Sequence, residues 1–154
     1  MANLDQPVRV RLLGHIGERT EVSAPAAGPL LPGAPAIFDE DGKAAPASAA
    51  AAETARAYGI NATSTVNQAN ITAQIVHRGK VVLYDVAGAN VLDGLDYGAI
   101  VYLSDDDGRL ADAPGTVEIE IGQVVPVWMS NPPEKALEID IRSIEPAPAP
   151  PPPP

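Results

Sequence analysis

The chain has 154 residues, no cysteine, 17 prolines and a formal charge of −10 from ten basic and twenty acidic side chains. Disulfides and thiolate metal sites are thereby excluded, and the acidic balance, with no Lys/Arg-rich stretch to offset it, argues against binding to nucleic acid or to an anionic membrane. No apolar run approaches the roughly 20 residues that span a bilayer, and MANLDQPVRV lacks a signal-peptide core, so a soluble protein made in the cytoplasm is expected.

In chain order, the first strand signal is PVRVRLL, residues 7–13. Val8, Val10 and Leu12 fall on one face of an extended chain, Arg9 and Arg11 on the other. The next stretch, SAPAAGPLLPGAPAIF, spaces Pro25, Pro29, Pro32 and Pro35 among small residues. Proline cannot donate to a sheet ladder, so this part is expected to run extended across a surface. In AAPASAAAAETARAYG, residues 44–59, the alanines and the Glu53/Arg56 pair favour a short helix ending at Gly59. With almost no large apolar side chain to dock it, the stretch is expected to be a weak helix or a mobile arm.

Strand-rich sequence begins near residue 60. ITAQIVHRGKVVLYDV reads as two β-branched runs that turn at Arg78-Gly79, since glycine takes positive φ at little cost. AIVYL (99–103) is a strand, and VEIEIGQVVPVWM (117–129) is another, with Gly122 and Pro126 marking a bulge or bend. LEIDIRSI (137–144) alternates as a closing strand, and PAPAPPPPP (146–154) is a solvated polyproline II tail. Five or six short strands between Gly, Asp and Pro turns predict an all-β fold. The expected form is a small antiparallel β-barrel or sandwich with an extended Pro/Ala-rich arm and room for one short helix. Its divisions are an N-terminal strand or arm over 1–20, the Pro/Ala-rich arm over 21–58, the β-domain over 59–145 and a disordered tail over 146–154.

The acidic run LSDDDGRL, residues 103–110, is the first candidate for chemistry. A calcium loop of the EF-hand kind needs oxygen ligands at alternate positions, a glycine at the sixth and a bidentate glutamate at the twelfth. Here Ser104 through Gly108 are contiguous, and neither Glu118 nor Glu120 falls at that spacing. A hairpin corner with Gly108 left-handed is expected instead. GAPAIFDEDGK (33–43) parallels GAIVYLSDDDGR (98–109), which fits a strand-and-acidic-turn device used twice.

His15 and His77 titrate near neutrality, but neither sits in a nucleophile motif such as G-x-S-x-G, and His77 is expected at a hairpin tip. The glycines at 88, 94 and 98 do not form a phosphate cradle. No catalytic residue, cofactor or metal ligand is expected. Asn61-Ala-Thr63 and Asn70-Ile-Thr72 match a glycosylation pattern that is common by chance. Trp128 is either a core plug or an interface anchor.

The downstream half resembles the head decoration, or cement, proteins of tailed bacteriophages. Those carry a strand of the type G-x-x-V-Y-L-S, then D-G-x-L-x-x-x-x-G, then I-G-x-V and a short closing strand. The matching positions are Gly98, Val101, Tyr102, Leu103, Ser104, Gly108, Leu110, Gly115, Ile121, Gly122 and Val124, within a likeness over residues 60–144. The upstream Pro/Ala region has no counterpart.

The resemblance implies a small β domain on the outer surface of a phage capsid, often a homotrimer, which bridges subunits of the major capsid protein and catalyses nothing. Arg9, Arg11 and Arg19 form a basic set expected to meet acidic capsid surface, with Trp128 as a further contact. The rival readings are a head fibre or spike base, a β-sandwich module that binds carbohydrate or calcium, and an enzyme using scattered carboxylates.

Overall fold

The computed structural model describes residues 3–13, 20–51, 55–63, 72–127 and 131–141. Among them run ten strands: β1 (Arg9–Leu13), β2 (Thr20–Pro25), β3 (Pro35–Phe38), β4 (Ala44–Pro46), β5 (Gly59–Asn61), β6 (Thr72–Tyr84), β7 (Ile100–Leu103), β8 (Leu110–Ala111), β9 (Glu120–Val127) and β10 (Glu134–Asp140). The named strand pairs are antiparallel and form one curled sheet, a half-barrel, in the order β4-β3-β5-β6-β10-β9-β7-β8, with β1 and β2 pairing β6 from its other side. The all-β expectation holds.

Strand β6 organises the sheet. It runs 13 residues without reversing, where the sequence predicts a hairpin at Arg78-Gly79. Its first half pairs with β2 and β5, and its second half with β1 and β10. A reversal at Gly79 would forfeit partners on both sides. The chain bends there instead: Thr20 faces Arg78 while Glu21 faces Val76, so His77 is the extra residue of a bulge, and Gly79 sits at φ 138°. A bulge beside a glycine raises local twist and lets one strand pass from one part of a curled sheet to another. His77 is therefore in mid-strand, with its ring stacked on Tyr58 at 4.5 Å and its Nδ1 2.6 Å from the Tyr58 carbonyl.

The Pro/Ala-rich segment runs extended, as its prolines require, but within the sheet. β2 lies along β6, and the β3–β4 hairpin joins through β5, so the division expected near residue 58 falls inside one sheet. Among the described residues no helix forms: Ala44–Pro46 is β4, Gly59 opens β5, and a single helix-type bond links Ala55 N–H to Ala51 C=O. Alanine's helix propensity loses to backbone bonds from neighbouring chain, including Gly108 N–H to Ala47 C=O and Ala49 N–H to Ser104 C=O.

Two apolar clusters follow from this arrangement. The larger joins Val81 and Leu83 of β6 to Val101, Leu103, Ile121, Val124, Leu137 and Ile139. The smaller holds Ala26, Leu30, Ala34, Ala36, Ala44, Ala73 and Ile75. Small side chains let backbones approach closely, and glycines do so further: a Cβ on Gly59 would lie 2.4 Å from the Val76 carbonyl oxygen, and one on Gly122 would lie 2.2 Å from that of Glu138. The β9 sequence behaves as its composition predicts. Ile121 is skipped in the β7–β9 register, a bulge beside Gly122. Val124 bonds toward β7 through Gly98 and Ala99, so Pro126, two residues on, faces that same side beyond the end of β7 and costs no ladder bond.

Asn61 pins the Pro-rich segment to the rest. It is fully buried, its Nδ2 donates to the carbonyls of Leu30, Leu31 and Thr63, and its Oδ1 accepts from the Thr63 N–H and hydroxyl. This side chain is committed to the interior, which removes it as a glycan acceptor. Replacing Asn61 by Asp would turn a carboxylate oxygen toward those carbonyls. We expect Asn61→Asp to cost about 3 kcal/mol at neutral pH, lowering Tm by roughly 10 °C. The buried Asp would have a raised pKa, so the loss should shrink as pH falls toward about 4, where the protonated carboxyl regains a donor. Thermal melts at the two pH values measure both effects.

Candidate interaction surface

Alternation along β1 places Val10 and Leu12 against the larger core and leaves Arg9 and Arg11 exposed, as the sequence predicts. The register then decides their neighbours. Arg9 lies opposite Tyr84 of β6, with its guanidinium 4.3 Å from the ring centroid, and that of Arg11 is 6.0 Å away. On the far side of β6, Glu134 of β10 takes two bonds. Its Oε2 accepts from Arg11 Nη2 at 2.9 Å, and its Oε1 accepts from the Tyr84 hydroxyl at 2.7 Å. Next along the same face, Lys80 stands opposite Glu138 and Arg78 opposite Asp140, the latter pair 3.7 Å apart.

Charge on this face is thus ordered by strand, basic on β1 and β6, acidic on β10. Beyond β10 the acidic side continues into an open groove of about 440 Å³ lined by Ile100, Glu118, Glu120, Gly122, Gln123, Glu138 and Asp140. The Arg11–Glu134 pair keeps substantial exposure, 48% and 30% of the two side chains, so it orients the patch more than it stabilises the fold. Tyr84 and Glu134 were invisible to sequence reasoning. Neither sits in a motif, and Arg11 and Glu134 are 123 positions apart. Arg19 and Trp128, the other expected contacts, lie outside the described residues, as do His15 and the polyproline tail.

The acidic turns are hairpin corners. Asp39 Oδ1 accepts from the N–H groups of Asp41 and Lys43 in the β3–β4 connection, with Gly42 at φ 76°. Asp85 repeats the device with Ala87, Ala89 and Gly88 at φ 82°. Between β7 and β8, Gly108 is at φ 68° and Ser104 Oγ accepts the Asp106 N–H. Here the acids also reach outward: Asp105 binds the N–H and hydroxyl of Thr116, and Asp106 accepts from Asn3 Nδ2 at 2.5 Å. Ser104 donates to Asn3 Oδ1, and Arg109 Nη2 donates to the Leu4 carbonyl at 2.6 Å. LSDDDGRL is the clasp that holds the N-terminal segment beside β8. Among the described residues, no group of three or more His, Asp and Glu side chains is arranged to hold a metal ion.

Compared with known proteins, the chain matches no family model and no curated protein.

The Tyr84 hydroxyl ionises above the ordinary tyrosine value of 10.0, first because burial disfavours the phenolate and then because it donates to Glu134; Arg11 and Arg9 act in the opposite sense. A folded pKa raised in this way contributes stability that is present below pH 10.0 and is lost as pH rises through the folded value. Absorbance titration at alkaline pH should therefore show a late tyrosine ionisation that disappears in Tyr84→Phe.

Proposed function

We propose that the protein is a structural virion component that binds the outer surface of a phage capsid and stabilises the shell by bridging subunits of the major capsid protein. The observation that carries this reading is the run of residues that resembles the head decoration proteins. Gly98, Val101, Tyr102, Leu103, Ser104, Gly108 and Leu110 build β7, its acidic corner and the start of β8, and Ile121, Gly122 and Val124 continue in the paired β9. These positions form one contiguous unit of the half-barrel, and its corner clasps the N-terminal segment that leads into β1.

The surface fits the same role. A tyrosine flanked by two arginines is the composition of a protein-binding hot spot, since it offers large contact area with few rotatable bonds and a planar cationic fork. Homotrimeric association belongs to the proposal, because a symmetric oligomer lets several weak contacts act together on a lattice through effective concentration. The reading gives the protein no reaction to catalyse.

Sedimentation with intact heads of the corresponding phage tests it. The protein should pellet in stoichiometric amount, in hundreds of copies per head rather than the few of a spike. Arg9→Glu/Arg11→Glu should reduce occupancy by about tenfold or more, with the melting temperature nearly unchanged. A protein that stays in the supernatant at every concentration would overturn the proposal.

A further inference from the structure

On the outer face, the basic positions of β6 meet acidic partners across the strand pair. Lys80 faces Glu138, Arg78 faces Asp140, and Arg11 reaches across to Glu134. The other side of β1 is different. Among the described residues no strand pairs with β1 except β6, so the sheet ends along the outer edge of β1, whereas the chain at the end of β2 is bridged to β4 through Ala26 and Ala44. Arg9 and Arg11 stand two residues apart at that edge, both exposed, and Arg9 has the Tyr84 ring beneath it but no carboxylate partner among the described residues.

We infer that β1 accepts an extended segment of a partner protein as an added strand, and that this segment carries carboxylates at alternate positions. An open strand edge supplies backbone donors and acceptors for main-chain pairing. Side chains of the added strand alternate with period two, so every second one comes to lie beside Arg9 and Arg11. The protein's own β10 shows what such a strand looks like, with Glu138 and Asp140 opposite Lys80 and Arg78 and, on the same face, Glu134 paired with Arg11.

Neither obvious pairing with a second copy supplies such a segment: β10, which carries the alternate carboxylates, already has neighbours on both sides, and β1 against β1 across a twofold would set arginine beside arginine. The inference rests on the capsid-binding reading for the partner's identity, an extended acidic segment of the shell protein. The strand edge itself does not depend on that reading.

The test uses the full chain labelled with ¹⁵N and two synthetic peptides, one alternating threonine with glutamate and one alternating threonine with lysine. The acidic peptide should slow amide exchange of the β1 residues by about tenfold, the lysine peptide should not, and Arg9→Glu/Arg11→Glu should abolish the effect. Lys43→Glu, at the distant β3–β4 turn, should leave it intact. Absent protection, equal protection by both peptides, or protection that survives the double reversal would each overturn the inference. Head sedimentation separates the two levels. Heads bound with β1 amides still exchanging freely overturn strand addition alone, whereas peptide protection without head binding supports strand addition and removes the shell as its target.

Discussion

Strand β6 is flanked on both sides along nearly its whole length, and that double pairing is the constraint on which the architecture depends. Four strands, β1, β2, β5 and β10, attach to it directly. The remainder of the sheet extends outward from β5 and β10. A strand loaded in this way cannot reverse without breaking ladders on both sides. It accommodates the curvature of the half-barrel by bulging at His77 and using Gly79, whose φ of 138° suits a residue without a Cβ. Aliphatic side chains fill the larger cluster, which spans the bend with Val76, Val81 and Leu83, and alanines dominate the smaller one, which takes Ala73 and Ile75 from alternate positions of β6.

The alanine-lined side trades side-chain area for close backbone packing. An alanine buries little apolar surface, so each contributes modestly to the hydrophobic term. What compensates is specific hydrogen bonding. Asn61 binds three carbonyls from inside the fold, and on this side Ala27 N–H bonds to the Ala44 carbonyl and Tyr58 N–H to the Ala36 carbonyl. Buried polar networks of this kind fix one arrangement among several that a uniformly small-residue core would tolerate. The acidic turns do similar work at the periphery. Asp39 and Asp85 satisfy two N–H groups each, while the acids after β7 tie the N-terminal segment and Thr116 to the corner.

Surface charge follows strand order rather than composition. An acidic protein carries a basic border because β1 and β6 are neighbours and β10 lies beyond them. Tyr84 sits at the junction, between guanidinium groups on one side and the Glu134 carboxylate on the other. A patch so arranged is held in place before any partner arrives, which lowers the ordering cost of association. For a protein proposed to lie against a shell and stay there, preorganisation of this kind matters more than the depth of any pocket.

The strand-forming alternation of VRVRLL and LEIDI, the glycine-bearing acidic corners and the absence of thiol chemistry are legible in the residues alone. Each of these depends on residues only a few positions apart, and periodicity and turn chemistry act at that range. Pairing was another matter. The hairpin at Arg78-Gly79 was plausible locally and failed because β1, β2, β5 and β10, distant in sequence, hold β6 straight through. The helix expected over 44–59 has favourable propensity, yet among the described residues Ala44–Pro46 and Gly59 pair with β3 instead. Of the candidate surface, Arg9 and Arg11 were legible because the strand period alone exposes them. Tyr84 and Glu134 joined them only through register, since which side chains meet across a sheet is settled by long-range pairing that no local pattern encodes.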